Sequence, residues 1–495
     1  MVPGAAHILP ATPTLLVSGG DTRIALDPVS GRSIYGCRPW PESDLVALGS
    51  STASVISEAG FAAAEALRAT CVDQLRQQAP ADVYALHTER LRSDLLAECG
   101  FSRSDGMHAV LAASGTDLHL LAAQWLRPQR TVLVAPMETG SGVPAALQGQ
   151  HFNRRVAGGV AAVIGTRISD WHCDLTTLAA RTPDGALRAG ASVDAECMAR
   201  VNAAAEAGQQ VLLILTDVSK TGLIVPSVET ALALKRRWPE QVEVLVDACQ
   251  FRLSQQTVQA YLARGCMLAV TGSKFMAGPT FCAALIIPPV VAARYRDNAI
   301  GRGACAYSNA ADWPAGWLSG LSLPATTNFG LLLRWQAALT ELHPFFALPE
   351  PQIVAFLQSF GQVVRERLAR GPCFEALPVA PLQRVALGIK NGWDTEQTIF
   401  PFLLRTPAGM FLSRDQTESV YQALRKPITG SRRFQLGQPV ACGVRDGVPV
   451  SGLRLCVSAP MIVVACRPGG ADAVLADALA ALDRIADILT TAKIR

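Results

Sequence analysis

Two neighbouring stretches decide the fold: Val242–Gln250, which reads VEVLVDACQ, and Met267–Pro279, which reads MLAVTGSKFMAGP. Each begins with a short apolar run and then carries a charged side chain, Asp247 in the first and Lys274 in the second. Such runs are typical of strands buried on both faces of a parallel sheet. Between them Ser254–Arg264 has a helical pattern, which predicts a strand–helix–strand unit. In open sheets of this kind, chemistry is expected where the strands end.

The same alternation of short apolar runs and helical patterns extends along the chain. The predicted strands are Thr131–Ala135, Val160–Ile164, Val211–Leu215, Val242–Val246, Met267–Val270 and Ala283–Ile287. The predicted helices are Ser51–Thr70, Ala109–Leu126, Ala189–Ala207, Ser227–Trp238 and Ser254–Arg264. Strands separated by helices indicate an α/β architecture with a mostly parallel sheet.

The pattern changes after about residue 325. A long helix is predicted at Asn328–Leu342, followed by strands at Thr398–Leu404 and Gly452–Val457 and by a closing helix at Ala471–Thr491. This order is typical of a separate α+β unit. We therefore predict an N-terminal arm at residues 1–55, a large domain at residues 56–325 and a smaller C-terminal domain at residues 326–495.

Composition excludes several classes of protein. Half of the 495 residues are hydrophobic and 17% are charged, so a large core is available, and the net charge of +4 gives no support for nucleic-acid binding. No apolar stretch approaches the roughly 20 residues that a membrane-spanning helix needs, and the N-terminus lacks a signal-peptide pattern. The thirteen cysteines form no C-x-x-C pair. We therefore predict a cytoplasmic protein with reduced thiols, no metal site and no membrane or nucleic-acid partner.

Asp247 and Lys274 together suit one cofactor, pyridoxal 5′-phosphate (PLP). A lysine amine holds the cofactor aldehyde as an imine, and a carboxylate keeps the pyridine nitrogen protonated so that the ring can accept electrons. Taken alone, each residue is more simply interpreted as structural: Asp247 would cap a turn, and Lys274 would be a surface lysine. The pair, at the ends of successive predicted strands, favours the cofactor.

The segment VDACQ…MLAVTGSKFMAGPTFCAALII resembles the class V aminotransferase and cysteine desulfurase group of fold-type-I PLP enzymes. The resemblance covers roughly residues 90–345, with a weaker echo at Arg454. It implies that Lys274 is the Schiff-base lysine, that Asp247 faces the pyridine nitrogen and that Gln250 donates to the phenolic oxygen of the ring. It also implies a large domain with a seven-stranded type of sheet, a smaller α+β domain and a homodimer with shared active sites.

A candidate phosphate site precedes these motifs. Ala112–Ala123 reads AASGTDLHLLAA, in which Ser114, Gly115 and Thr116 open an amphipathic helix. Backbone N–H groups and hydroxyls at a helix N-terminus suit a phosphate. Ser and Thr are also ordinary helix caps, so the motif alone is weak. In this order of motifs it is similar to the phosphate cup of the family.

The resemblance implies further cofactor contacts at Thr139, Ser219, Ser273, Thr326 and Thr327. Thr139 stands where the family has a ring-stacking histidine, so either its methyl group packs on the ring or another residue does. Ser219 either bonds the cofactor or forms a plain turn. Ser273 adjoins the lysine. Thr326 and Thr327 match a segment that, in related dimers, reaches the phosphate of the neighbouring subunit.

Arg454 is the candidate substrate-binding residue. Ser451–Ser458 reads SGLRLCVS, and a lone arginine in an apolar strand needs an anionic partner if it is buried. Its planar fork suits a carboxylate, as does the small-domain arginine of the family, although a structural acid is an alternative partner.

These motifs predict an enzyme that acts on an amino acid or a related amine. Transamination is the leading interpretation, and a carbon–sulfur or carbon–carbon lyase is the alternative, because the cofactor motifs serve both reactions. An inert PLP-binding partner subunit is a second alternative, disfavoured by the intact Lys274 and Asp247. A cysteine desulfurase is disfavoured because no cysteine occupies the family's loop position, and Cys305 follows the lysine too closely.

Overall fold

The computed structural model describes residues 9–49, 53–427 and 432–491. Its strands are β1 (Leu45–Leu48), β2 (His108–Ala112), β3 (Arg130–Val134), β4 (Asp174–Leu178), β5 (Val211–Asp217), β6 (Ile224–Val225), β7 (Val242–Ala248), β8 (Met267–Thr271), β9 (Ala283–Ile287), β10 (Phe374–Ala376), β11 (Ile399–Leu404), β12 (Arg433–Arg445) and β13 (Val448–Cys456). Its α-helices are α1 (Thr12–Leu16), α2 (Glu58–Gln74), α3 (Pro80–Glu98), α4 (Gly115–Leu126), α5 (Val143–Leu147), α6 (Gly190–Glu206), α7 (Val228–Arg237), α8 (Gln255–Ala263), α9 (Pro289–Tyr295), α10 (Leu318–Leu321), α11 (Phe329–Phe346), α12 (Glu350–Arg370), α13 (Arg414–Leu424), α14 (Ala459–Ala465) and α15 (Gly470–Thr491).

The larger sheet has the strand order β2-β9-β8-β7-β5-β3-β4, and the short β6 pairs with the end of β5. β9 runs antiparallel to both of its neighbours, whereas β8, β7, β5, β3 and β4 are mutually parallel. Every residue of β5, β7, β8 and β9 is buried, which explains why these strands read as unbroken apolar runs. The predicted α/β fold with a mostly parallel sheet of seven strands is confirmed.

Serine caps begin the helices that cross over this sheet. The hydroxyls of Ser57, Ser114, Ser227 and Ser254 accept backbone N–H groups at the starts of α2, α4, α7 and α8, respectively. Such a cap satisfies a donor that the helix cannot satisfy itself, so the side chain sets where the helix begins.

A second sheet has the order β1-β12-β13-β11-β10. β13 lies between β12 and β11 and runs antiparallel to both, so Arg454 is held in its central strand. The strands predicted at Thr398–Leu404 and Gly452–Val457 correspond to β11 and to the end of β13. β1, from the predicted arm, adds a parallel edge strand beside β12. The domain boundaries themselves stay a prediction.

Three local predictions are wrong. Val160–Ile164 is an exposed loop, with Val163 69% exposed, and the place beside β3 is taken by β4, which the sequence analysis missed. Ala109–Leu126 is divided between β2 and α4, because pairing with β9 overrides the helix-forming residues of its first turn. Of the helix predicted at Ser51–Thr70, Ser51 and Thr52 lie outside the described residues, and the observed helix begins at Glu58 after the Ser57 cap. In the described ranges no helix is long and apolar enough to cross a membrane.

Candidate active site at the carboxyl ends of the central strands

A cleft lies where the central strands of the large sheet end, opposite β13 of the second sheet. It is lined by Glu138, Thr139, Gly140, Thr216, Val218, Lys220, Asp247, Cys249, Gln250, Lys274, Gln438 and Arg454. Five predicted site residues therefore share one cleft: Thr139, Asp247, Gln250, Lys274 and Arg454. Asp247 comes from β7, and Lys274 follows the end of β8.

Asp247 is a buried, ionised carboxylate at the floor of the cleft. Its Oδ1 accepts the backbone N–H of Cys249 at 3.2 Å, and its Oδ2 lies 3.6 Å from His119 Nε2. Burial alone would raise the pKa of Asp247, but the charges of His119 and Lys274 hold it below its usual value. An ionised carboxylate in this place can hold a protonated ring nitrogen.

His119 of α4 is the residue behind Asp247, and the sequence analysis missed it. Its Nδ1 lies 2.6 Å from the carbonyl oxygen of Gly115. Because a carbonyl only accepts, Nδ1 carries a proton, and the other nitrogen faces the carboxylate. A sequence signal for His119 was present, because on a helix it lies one turn beyond Gly115 of the predicted phosphate site and on the same face.

The start of α4 borders the same cleft. Ser114 caps the helix by accepting the backbone N–H of Asp117 at 3.2 Å. A Cβ atom on Gly115 would lie 2.7 Å from Cys249 Sγ, so only glycine lets α4 approach the end of β7 this closely. Thr116 contacts the loop that contains Gly140, since a Cβ there would lie 3.7 Å from Thr116 Oγ1. The predicted phosphate cup is thus beside the cleft.

Two threonine hydroxyls in the cleft wall have no hydrogen-bond partner in the described ranges of the chain. Thr139 Oγ1 and Thr216 Oγ1 are both buried and unpartnered. A buried hydroxyl without a partner costs free energy, and native proteins rarely leave one unexplained. Both side chains line the cleft, so a polar group bound there would satisfy them.

Ser219 is committed to a neighbouring network. Its hydroxyl donates to Glu138 at 2.7 Å and accepts the N–H of Leu223 at 3.0 Å. Glu138 also receives Arg181 Nε at 2.9 Å and the Thr221 hydroxyl at 2.8 Å. These bonds shape the loop after β5, and Ser219 does not itself line the cleft. Its contact with a cofactor stays a prediction.

Lys220 is a second lysine in the cleft that the sequence analysis did not single out. Its Nζ donates to the carbonyl oxygen of Pro136 at 3.3 Å. Burial, followed by the charges of Arg454 and Lys274, lowers the pKa of Lys220 to about 8. The loop after β5 therefore brings a second amine to the same wall.

Arg454 is buried without an acidic partner. Its Nη1 donates to the carbonyl oxygen of Lys220 at 3.3 Å and its Nη2 to that of Gln438 at 2.8 Å, while Nε has no acceptor. No carboxylate of the described residues forms an ion pair with it. The structural acid considered above is thus not found in that part of the chain, and an anionic ligand would fit.

The remaining predicted residues lie outside the cleft of this chain. Ser273 is buried next to Lys274, and its carbonyl oxygen accepts the hydroxyl of Ser54. Thr326 is exposed and donates to Asn309, and Thr327 is half-buried. Their contacts with a cofactor, in this chain or in a partner subunit, stay predictions.

Residues of the N-terminal segment reach the start of α4, although the sequence analysis assigned no chemistry to the first 90 residues. Arg23 Nη2 lies 3.3 Å from Ser114 Oγ and forms an ion pair of 2.6 Å with Asp21. Burial, followed by the charge of Asp21, raises the pKa of Asp117 to about 7. Such contacts join distant parts of the chain and leave no local sequence pattern.

Comparison with known proteins identifies the fold. No protein-family model and no curated protein matches the chain. Among solved structures, the cystine C–S lyase C-DES in complex with cysteine persulfide is 15% identical, with 86% of this chain and 94% of that chain covered and a TM-score of 0.51. A NifS-like protein is 11% identical, with 90% and 100% covered and a TM-score of 0.54. A serine palmitoyltransferase from S. paucimobilis, with a bound PLP–myriocin aldimine, is 12% identical, with 90% and 88% covered and a TM-score of 0.50. The chain has the fold of the fold-type-I PLP enzymes.

Proposed function

We propose that this chain is a PLP-dependent enzyme that acts on an amino acid, with Lys274 as the lysine that binds the cofactor covalently. The observation that carries the proposal is one cleft that contains Lys274, the ionised Asp247 and an unpaired Arg454, with the start of α4 beside it. The fold shared with PLP enzymes supports it.

The residues of the cleft fit the cofactor. The unpartnered hydroxyls of Thr139 and Thr216 are donors without acceptors, and the close approach of Gly115 to Cys249 brings the start of α4 next to a residue of the cleft wall. A helix N-terminus favours a phosphate, and Asp247 favours a protonated ring nitrogen. The cradle would therefore consist of Ser114, Gly115, Thr116, Asp247 and Gln250.

The chain's own groups have distinct tasks in the proposed reaction. When bound, PLP accepts an electron pair from a bond at the substrate Cα. Arg454 binds the substrate carboxylate and so orients Cα. The Lys274 amine removes the proton from the substrate Cα as general base and, as general acid, would deliver it to the cofactor side of the imine, as transamination requires. Asp247 holds the proton on the ring nitrogen, with His119 as its positioning residue.

We propose transamination as the reaction, with a carbon–sulfur lyase as the alternative. The similarity of fold to the lyase C-DES supports that alternative, and the same residues can serve it. Sulfur transfer to Cys249 is disfavoured, because burial and the charge of Asp247 raise the pKa of its thiol well above the usual value. Assays of keto-acid formation, set beside assays of sulfide and pyruvate release, separate the two reactions.

The test of the proposed function locates the covalent lysine. Purified protein supplied with PLP should develop a visible absorption band, and reduction with borohydride followed by peptide mass spectrometry should find the label on Lys274. Lys274→Ala should lose the band, whereas Lys220→Ala, the matched change at the second lysine of the cleft, should keep it. Protein that gains no band with PLP, or a label on Lys220, would contradict the proposal.

We also propose a homodimer in the cytoplasm. All thirteen cysteines are free, which supports a reducing compartment. The exposed Thr326 is free to meet a second subunit, as the family resemblance implies. Light scattering on purified protein should give twice the mass of the chain.

A further inference from the structure

Arg252 is a buried guanidinium group without a hydrogen-bond acceptor among the residues that the structure describes. It is 1% exposed, and Nε, Nη1 and Nη2 all lack a partner. The guanidinium group lies over the face of Phe275, whose ring centre is 5.1 Å from the guanidinium carbon. Burying an unpaired cation costs far more free energy than such a contact returns. The chemistry therefore calls for an anion at this place.

Arg252 lies next to the cleft. It follows Gln250 by two residues, and the Phe275 ring beneath it belongs to the residue after Lys274, so two residues of the cleft wall flank it. The charge of Arg454 also acts on it. Burial lowers the pKa of Arg252 to about 10, so the group stays positive at neutral pH. Two buried arginines with unsatisfied donors thus lie close enough for their charges to interact, Arg454 in the cleft wall and Arg252 next to it.

The charges around the cleft do not balance. Glu138 is paired with Arg181, and Asp247 faces His119. In the described ranges no carboxylate forms an ion pair with Arg252, Arg454 or Lys220. One substrate carboxylate would supply the counter-charge of Arg454. Arg252, which lies next to the cleft, and Lys220 in the cleft wall are then still without a counter-charge.

We propose that the substrate is an amino acid whose side chain carries a second carboxylate, and that Arg252 and Arg454 bind its two acidic groups. This inference rests on the proposed function, because it names the substrate of that same cleft. Arg252 acts as a specificity-determining residue: it touches the substrate but not the reacting bond. A neutral side chain would leave its three donors buried and unsatisfied, which penalises the wrong substrate.

The test uses the PLP-loaded protein and ligands that lack an amine, so that binding is measured without reaction. Succinate and glutarate are compared with butyrate by isothermal titration calorimetry. We expect at least about tenfold tighter binding of one dicarboxylate, which corresponds to about 1.4 kcal/mol. Arg252→Met should abolish this preference, leave butyrate binding within about twofold of wild type and keep the visible band. Arg236→Met, an exposed arginine of α7, should change neither ligand.

Wild-type protein alone can overturn the inference. Equal binding of dicarboxylates and butyrate would do so, even if the variant failed to fold. Inorganic phosphate is a further probe: if it binds wild-type protein but not Arg252→Met and competes with neither butyrate nor succinate, Arg252 holds a free anion outside the substrate site and the substrate assignment is wrong.

The thermal stability of the ligand-free protein gives a second readout. If Arg252 has no acceptor within the chain, Arg252→Met should raise the Tm, because an unpaired buried charge is replaced by an apolar side chain of similar length. A lowered Tm would reveal an internal partner and contradict the inference. If wild-type protein developed no visible band with PLP, the proposed function itself would be wrong. A normal band without a dicarboxylate preference would contradict only the substrate inference, so the two failures are distinguishable.

Discussion

At the scale of single residues, we expect the pair of His119 and Asp247 to set how strongly the cleft binds the proposed cofactor. The two side chains are buried, and Asp247 has the Cys249 N–H as its other partner. The His119 charge is the leading influence that lowers the pKa of this carboxylate against the effect of burial. Loss of the histidine should therefore raise that pKa and weaken the hold on a protonated ring.

The first prediction follows from this pair. His119→Leu should weaken PLP binding about tenfold or more, because one lost charge interaction of about 1.4 kcal/mol is a factor of ten. Titration of the visible band with PLP measures the affinity, and the pH dependence of the band reports the altered carboxylate. His172→Leu, an exposed histidine, is the control and should have no effect. Unchanged affinity in His119→Leu would remove His119 from the positioning role.

Asp117 should make the stability of the protein depend on pH. Its pKa, about 7 in the folded protein, lies above the value of about 4 in an unfolded chain. Between these values the folded state holds a proton that the unfolded state has released. Its contribution to the free energy of unfolding is therefore complete below about pH 4 and falls by up to about 1.4 kcal/mol per pH unit as the pH rises to 7.

The second prediction is that Asp117→Asn flattens this dependence. Urea unfolding between about pH 5 and pH 7 should show a smaller loss of stability in the variant than in wild type. Asp170→Asn changes an exposed carboxyl in a loop and should follow the wild-type curve. Parallel curves for Asp117→Asn and wild type would show that Asp117 ionises normally in the folded protein.

At the scale of elements, the site depends on how closely α4 approaches the end of β7. The third prediction tests this contact at Gly115. Gly115→Ala should lower the free energy of unfolding by about 1–3 kcal/mol, because the new Cβ would lie 2.7 Å from Cys249 Sγ. PLP affinity should fall too, as α4 is displaced. Urea unfolding and PLP titration provide the two measurements.

A second substitution tests whether the Cys249 sulfur is the cause of the expected loss of stability. In Gly115→Ala with Cys249→Ala the sulfur is absent, and the nearest remaining atom of residue 249 is its Cβ at 3.7 Å, an ordinary contact. The double variant should recover most of the lost stability relative to Cys249→Ala alone. If it recovers none, the clash is not the reason for glycine at this position.

The end of β5 is anchored by another buried group. Asp217 accepts Arg384 Nε at 2.8 Å and the hydroxyl of Tyr261 at 2.7 Å, with a second bond from Arg384 Nη2 at 2.5 Å. This ion pair connects the large sheet to the segment before β11. The loop with Lys220 starts directly after this anchor, so the position of the second amine follows from a contact made far along the chain.

At the scale of the whole molecule, Arg334 of α11 attaches the N-terminal segment to the body. Its guanidinium is fully buried and donates to the carbonyl oxygens of Leu16 at 3.2 Å, Ser18 at 2.6 Å and Gly19 at 3.3 Å. Its Nε donates to that of Phe281 at 2.6 Å. One side chain thus satisfies backbone groups of two separate segments.

The fourth prediction is that Arg334→Met releases this segment. Five carbonyl groups, that of Leu15 included, would lose a charged donor, so stability should fall by about 3 kcal/mol or more. Limited proteolysis followed by mass spectrometry should show faster cleavage between α1 and β1. Arg370→Met, which changes an exposed ion pair of α12, should resist protease as wild type does. Equal cleavage of all three proteins would contradict the role of Arg334.

The sequence by itself determined the architecture and the centre of the site. Strands buried on both faces need unbroken apolar runs, so β5, β7, β8 and β9 were readable from local pattern alone. Asp247 and Lys274 could be found because the ends of neighbouring parallel strands meet at one edge of the sheet. The failures at β2 and β4 lie at the margins of the sheet, where pairing with a neighbour rather than composition makes a strand.

Only the tertiary structure decided which further residues face the cleft. His119, Lys220 and Arg252 carry no local signature, since a buried polar residue is recognised by the partners it has or lacks. Arg454 gained its meaning in the same way: the sequence predicted a lone arginine in a strand, and the fold surrounded it with carbonyl groups and left it without an acid among the described residues. Periodicity is a property of neighbours along the chain, whereas charge balance is a property of neighbours in space, and the specificity proposed for this cleft rests on the second.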